Sequence, residues 1–480
     1  SIVLLKNDGL LPIRKDLRSV AVIGPAADTV SYGDYTETRG RKGGVSVLDG
    51  IRAAVSPETE VLYERGCNFL GQALHPFDPS MLRDENGNAG LTGRYYNGPV
   101  PQGEPVQVRT DRTVNFNWIF ALPHPALDAK CFSVAWTGSV VMPRTMDGCI
   151  GLSTQDSMRL YVDDKLLIDG WGKEKSADQA LDFHFEAGRT YKIRIEFVND
   201  RRGARVIFGY SAGRENFPAA VEAARKADVA ILCMGDNEET SGENFDRTDL
   251  NLTGRQLELV QAVYTTGTPV VLVLQSGRPV TANWENDHLP AILEAWFPGE
   301  QGGTAIAKTL FGNAAPGGRL PITFPRSVGQ IPCHYSRRPG GGKRYVEMDW
   351  LPLYPFGYGL TYTTFAYSDM TLSRSVIGPQ DTVTVSVTVT NTGKYTGDAV
   401  PQLYVRDMFS SVVKPERQLA AFRRLTLAPG ESRRVELTIG PKQLRTLGPD
   451  YVWRVEPGKF ELQLGDNAEN ILLRADLTVE

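Results

Sequence analysis

With 480 residues, of which 41% are hydrophobic and 22% charged, the chain is long enough for two to four domains and for sizeable cores. A formal net charge of −4, with no basic run or basic–aromatic stripe, argues against nucleic acid as a partner, and no stretch of about 18 apolar residues marks a membrane span. Five widely spaced cysteines (Cys67, Cys131, Cys149, Cys233, Cys333) without a CxxC pair, and five histidines without ligand spacing, exclude a disulfide framework or a zinc site as the expected reading. That cysteine usage favours a cytoplasmic setting and leaves a periplasmic or secreted one open.

Taken in chain order, the sequence opens in mid-pattern, with Ile2-Val3-Leu4-Leu5 already apolar. Short apolar runs at 20–24 and 60–63 read as strands. Between them Tyr32-Gly33-Asp34-Tyr35 reads as a turn, in which Asp34 either stabilises the turn or lines a cleft. From about 90 to 210 the texture changes to period-two alternation, as in Phe132-Ser133-Val134-Ala135-Trp136 and Tyr191-Lys192-Ile193-Arg194-Ile195, with turns such as Glu186-Ala187-Gly188. This is an all-β sandwich pattern, and an insertion of that length must fold as a unit.

Strand-and-helix alternation then resumes. An Ala-rich, charged helix is expected over 217–227, a fully apolar strand over 229–235, a helix over 253–264 with Thr253 as N-cap, and strands over 269–275 and 291–297. Continuous apolar strands with intervening helices imply a sheet covered on both faces. The Pro/Gly-rich stretch 332–359 reads as a connection, with Pro339-Gly340-Gly341-Gly342 as an exposed, mobile loop. From about 381 the β texture returns: Val383, Val385, Val387 and Val389 alternate with Thr and Ser, fitting a second, smaller sandwich.

The loop Ser241-Gly242-Glu243-Asn244-Phe245-Asp246-Arg247 stands between the apolar strand and the following helix, where an α/β sheet places its chemistry. Glu243 is a candidate general acid. On spacing alone it reads first as a solvated residue or an ion-pair partner of Arg247 rather than as a catalyst, and Glu238 and Glu239 compete with it if the loop register differs. Asp246 and Arg247 are expected to pair and orient the loop, and both can line the substrate site. Trp296 and Phe297 read as core rather than as a sugar platform. Gly299, Gly302 and Gly303 lack a following Lys-Ser/Thr, so they mark close packing at a helix start rather than a phosphate cradle.

These segments resemble glycoside hydrolase family 3, specifically its β-glucosidases with an inserted sandwich. The resemblance rests on Ser1-Ile2-Val3-Leu4-Leu5-Lys6-Asn7-Asp8-Gly9-Leu10-Leu11-Pro12, Trp296-Phe297-Pro298-Gly299-Glu300-Gln301-Gly302-Gly303, Gly317-Gly318-Arg319-Leu320-Pro321 and Tyr354-Pro355-Phe356-Gly357-Tyr358-Gly359-Leu360-Thr361-Tyr362. The insert resembles the protective-antigen-type sandwich through Trp136-Thr137-Gly138 and Leu160-Tyr161-Val162-Asp163, and the tail resembles the family's fibronectin type III-like domain.

The resemblance implies an α/β/α sandwich in two parts (1–85 and 215–331), an inserted β-sandwich (86–214), a linker (332–375) and a terminal sandwich (376–480). It also implies a retaining, exo-acting glycosidase in which Glu243, three residues before Asp246-Arg247, is the acid/base. The nucleophilic Asp belongs to a (β/α)₈ barrel outside these 480 residues, as a missing domain or a separate chain. In retaining enzymes the two carboxyls stand roughly 5–5.5 Å apart, so the chain alone is expected to be inactive. Asn244 departs from the family's Gly. Gln155-Asp156 breaks the adjacent-aspartate pair that binds calcium in some related sandwiches, so no metal is expected, and no cofactor. The expected partners are a carbohydrate, the barrel and a possible second copy in a homo-oligomer. A barrel-less carbohydrate-binding or scaffold protein is the alternative, and β-xyloside the alternative substrate.

Overall fold

The computed structural model describes residues 2–33, 36, 43–70, 74–118, 122–154, 156–172, 179–199, 205–212, 217–238, 240–243, 245–340 and 344–480. Asp34, Gln155, Glu239, Asn244, Gly341 and Gly342 lie outside the described residues, and so do the expectations placed on them.

Six strands form one sheet: β1 (Val3–Asn7), β2 (Ser19–Ile23), β3 (Glu60–Glu64), β4 (Val229–Gly235), β5 (Val270–Gln275) and β6 (Ala291–Glu294), in the order β1-β6-β5-β4-β2-β3. All neighbours run parallel except β1, which lies antiparallel on β6. Every residue of β4 and β5 is buried, as a parallel sheet covered on both faces requires.

Alternate residues of β4 feed two cores. Ala230, Leu232 and Met234 join α2 (Phe217–Lys226) and α3 (Gln256–Tyr264). Val229, Ile231 and Cys233 join α1 (Val47–Ala54) and α5 (Gly302–Leu310). A short helix, α4 (Asn283–His288), leads into β6 and lays Trp284 on the first of these cores. The segments around α1 and α5 touch backbone to backbone: a Cβ on Gly303 would stand 1.8 Å from the Ser46 carbonyl oxygen. The glycine is thus there for close approach.

The helix expected from 253 begins at Gln256, and Thr253 is not its cap. The Thr253 hydroxyl and carbonyl both accept from the Gln256 amide (3.0 and 3.2 Å), because that side chain turns back toward the strand.

Two compact units divide the chain, Gly71–Asn216 and the remainder. The first contains two antiparallel sheets around one aromatic-rich core. Its buried Asp111 accepts from Tyr95 Oη (2.5 Å), Trp136 Nε1 (2.8 Å) and Arg109 Nε (2.7 Å). Asp163 and Asp164, with φ of 49° and 63°, form the two-residue turn between Ser157–Val162 and Lys165–Asp169, the backbone of a tight hairpin. Both are engaged structurally: Asp163 accepts from Lys192 N and Asp164 from Lys192 Nζ, each at 2.9 Å.

In the second unit the terminal sandwich pairs a three-stranded with a five-stranded sheet, and Val383, Val385, Val387 and Val389 are all wholly buried, as their alternation predicts. Gln402 Nε2 donates to Gly357 O (3.0 Å) and Arg337 Nη1 to Glu469 Oε1 (2.7 Å), which seats this sandwich on the preceding connection. Leu353 and Tyr354 of that connection enter the α/β core.

Candidate active site at the carboxyl edge of the sheet

After β2 the chain moves outward to β3; after β4, on the other side of β2, it moves through β5 to β6. The loops leaving β2 and β4 therefore part in opposite directions, and open α/β sheets bind ligands in the crevice at such a point. Glycines occupy both exits. Gly24 (φ +123°) and Gly235 (φ +138°) have no room for a Cβ, which would lie 2.1 Å from Cys233 O and 2.0 Å from Gln275 O. The crevice contains a cavity of about 90 Å³ whose lining includes Tyr32, Gly33, Arg65, Asn237, Glu238 and Phe297. Asp34 belongs to the same β2 loop but lies outside the described residues.

The long loop 236–255 carries Glu243. Its two ends are closed on each other by the wholly buried Gln256, whose Oε1 accepts from Gly235 N (2.8 Å) and whose Nε2 donates to Gly235 O (2.9 Å). Beneath the loop lies Asp236, buried, with Oδ1 accepting from Thr240 Oγ1 (3.0 Å) and Arg247 Nη1 (3.3 Å), and Oδ2 3.9 Å from Arg278 Nε. Burial raises the Asp236 carboxyl above its ordinary range; Thr240, Arg247 and Arg278 oppose that shift. Arg247 also donates to Asn251 O (2.6 Å) and stands 3.7 Å from Asp249. The residue expected to pair with neighbouring Asp246 thus reaches across the base of the loop, and Asp246 is exposed. Glu243 and Glu238 are exposed as well.

A second carboxyl, Glu294 at the end of β6, has no exposure at all. Burial pushes its pKa up to about 8, with the negative charge of Asp236 adding to the effect. Its Oε1 accepts from Trp296 N (2.8 Å), and its carboxyl lies 3.2–3.3 Å from Ser276 Oγ, which donates to Arg278 O (2.8 Å). Trp296 adopts φ +56°, an unusual backbone for a large side chain. It packs edge-on against Phe324 at 5.9 Å, whereas its neighbour Phe297 faces the cavity.

Asp236, Gln256, Arg278 and Glu294 were missed in the sequence. Glu294 carried a readable signal, an ionisable residue inside the apolar run 291–297. The other three have none, since their partners come from separate loops.

Residues 2–362 match the glycosyl hydrolase family 3 C-terminal domain, and residues 399–468 match a fibronectin type III-like domain. The chain belongs to glycoside hydrolase family 3. Among curated proteins of this family it is 34% identical to a β-glucosidase of Rhizobium radiobacter, over 99% of this chain and 61% of that protein. It is 45% identical to a β-xylosidase of Formosa agariphila, over 60% of this chain and 42% of that protein. A crystal structure of the Kluyveromyces marxianus β-glucosidase in complex with glucose aligns with all of this chain and 61% of its own, at a TM-score of 0.76 and 28% identity. The chain therefore spans about three-fifths or less of these family members, as their C-terminal portion: α/β layers interrupted by a β-sandwich and followed by a fibronectin type III-like domain.

Proposed function

We propose that this chain is the C-terminal part of a retaining, exo-acting β-glucosidase and supplies its general acid/base, Glu243. One observation carries the reading: the loop with the family's Glu-x-x-Asp-Arg spacing leaves the carboxyl edge of the sheet where the strand order reverses. On this reading an Asp of the barrel attacks the anomeric carbon and forms a C–O bond. The glycosidic C–O bond breaks, and the Glu243 proton goes to the departing oxygen. Glu243, then a carboxylate, takes a proton from water as the glycosyl-enzyme is hydrolysed.

Asp34, Asp246 and Arg247 are proposed to line the substrate side, and the domain limits are proposed as in the sequence reading. The 45% identity to the β-xylosidase, over 60% of the chain, favours a terminal β-xyloside as the second substrate reading.

The test is an assay on aryl β-glucosides and β-xylosides of this chain alone, of the barrel alone and of the two together. Activity only in the combination, lost in Glu243→Gln, is the expected result. Sugar binding without turnover in any combination would replace this reading with that of a carbohydrate-binding or scaffold protein.

A further inference from the structure

We propose that Arg278 is a positioning residue for Glu243, anchored on the buried carboxylate of Asp236. The inference rests on Glu243 being the acid/base.

Arg278 reaches the Glu243 loop from a different strand, in the turn after β5. Its side chain is 23% exposed. Nη2 donates to Thr240 O and Ser241 Oγ at 3.3 Å, and both terminal nitrogens donate to Phe245 O at 3.4 Å. Thr240 and Ser241 precede Glu243 and Phe245 follows it, so one planar, rigid group holds both sides of the turn that presents the carboxyl. A guanidinium suits this task because its donors are fixed in a fork, whereas an ammonium is a point charge on a flexible stem.

Among the described residues, the loop's own backbone bonds at this point are those of Thr240 N and Ser241 N to Asn237 O and of Phe245 N to Gly242 O at 3.3 Å. Gly242, directly before Glu243, is the residue type with the widest backbone freedom. Asp236 keeps the fork in place from below, and Arg247 and Thr240 hold Asp236. Since Asp236 directly follows β4 and Arg278 follows β5, the direction of Glu243 is referred to two adjacent strands of the sheet.

A displaced acid has a kinetic signature that lost stability lacks. It slows the departure of alcohols that need protonation, and it spares leaving groups that depart as stable anions. In the enzyme assembled with its barrel, Arg278→Met is expected to lower kcat/KM by about 10²-fold on an alkyl or unactivated aryl glycoside, the scale of a misplacement of ~1 Å. On a dinitrophenyl glycoside the same variant is expected to change less than ~5-fold, because the transition state makes little demand on the acid. Arg278→Lys should recover part of the loss, and Ser241→Ala, which removes one acceptor of the Arg278 fork without touching a charge, should show the same selectivity on a smaller scale. Melting temperatures are recorded for each variant.

Equal losses on both substrates, or losses that follow melting temperature alone, would overturn the proposal. If Arg278→Met fails to fold, the Lys and Ser241 variants decide by the same ratio. Glu243→Gln separates the two layers: if it lacks the leaving-group signature, the acid/base reading itself falls. If it has the signature and the Arg278 and Ser241 variants do not, only the positioning role falls.

Discussion

Replacing Glu294 by Gln should make the protein more stable at neutral and alkaline pH, by an amount that grows with pH. The carboxyl is wholly buried and its pKa is raised from 4.5 to about 8. Between those values the folded state keeps a proton that the unfolded chain has released, so stability falls as pH rises through the window and levels off above about 8. The two values lie 3.5 apart, and at 1.36 kcal/mol each that is on the order of 5 kcal/mol. The amide reproduces the neutral carboxyl: its oxygen accepts from Trp296 N, and its NH₂ donates toward Ser276 Oγ, which itself donates to Arg278 O. The assay compares wild type and Glu294→Gln by denaturant midpoints of the α/β transition from pH 4.5 to 8.5. Glu285, a buried acid with a pKa of about 7 set by its own burial, titrates in both proteins and cancels in the difference. The two stability curves should meet near pH 4.5 and diverge above it. Parallel curves would refute the reasoning, because they would mean that Glu294 loses its proton in the folded and unfolded chains alike.

Gly303→Ala places a methyl group 1.8 Å from the Ser46 carbonyl oxygen; overpacking of this kind costs roughly 1–3 kcal/mol, and a lowered melting temperature checks it. In the inserted sandwich, Asp111→Ala removes the acceptor shared by the Tyr95 hydroxyl, the Trp136 indole and Arg109 Nε, for a loss of about 3–5 kcal/mol measurable by denaturation. Leu462→Ala in the terminal sandwich, at a site with no exposure, should cost about 2–5 kcal/mol. Residues 71–216 expressed alone should give a cooperative melt and a near-ultraviolet circular dichroism spectrum, as a unit with its own aromatic core; a featureless spectrum would contradict its independence.

The parts of this molecule legible in the sequence were those specified by short-range pattern. The unbroken apolar run 229–235 is β4, and the Val-Thr alternation of 383–389 is an inward-facing strand. The position of the Glu243 loop, between a strand end and a helix, was also readable. Long-range partnership was not. Thr253 looked like a cap because caps are judged by residue type, but the Gln256 side chain that occupies it bonds to Gly235, 21 residues upstream. Arg247 looked like the partner of its neighbour, and its guanidinium spans the loop base to Asp236. The antiparallel edge strand β1 was visible only as apolar residues, since its partner β6 lies nearly 300 positions away and no local pattern gives direction.

The bonds between Gln256 and both polar groups of Gly235 have an evolutionary consequence. They close the loop at its neck, so the sheet is finished before the first loop residue and the helix begins after the last. Changing the length of a closed loop costs little, since closure entropy grows only with the logarithm of length. Outside Glu243 and the residues that hold it, the segment between Asp236 and Arg255 can therefore diverge, lengthen or shorten while the six-stranded sheet keeps its register. A lineage can retune the site from within this segment and leave the scaffold untouched, and Gln256 is the residue on which that freedom depends.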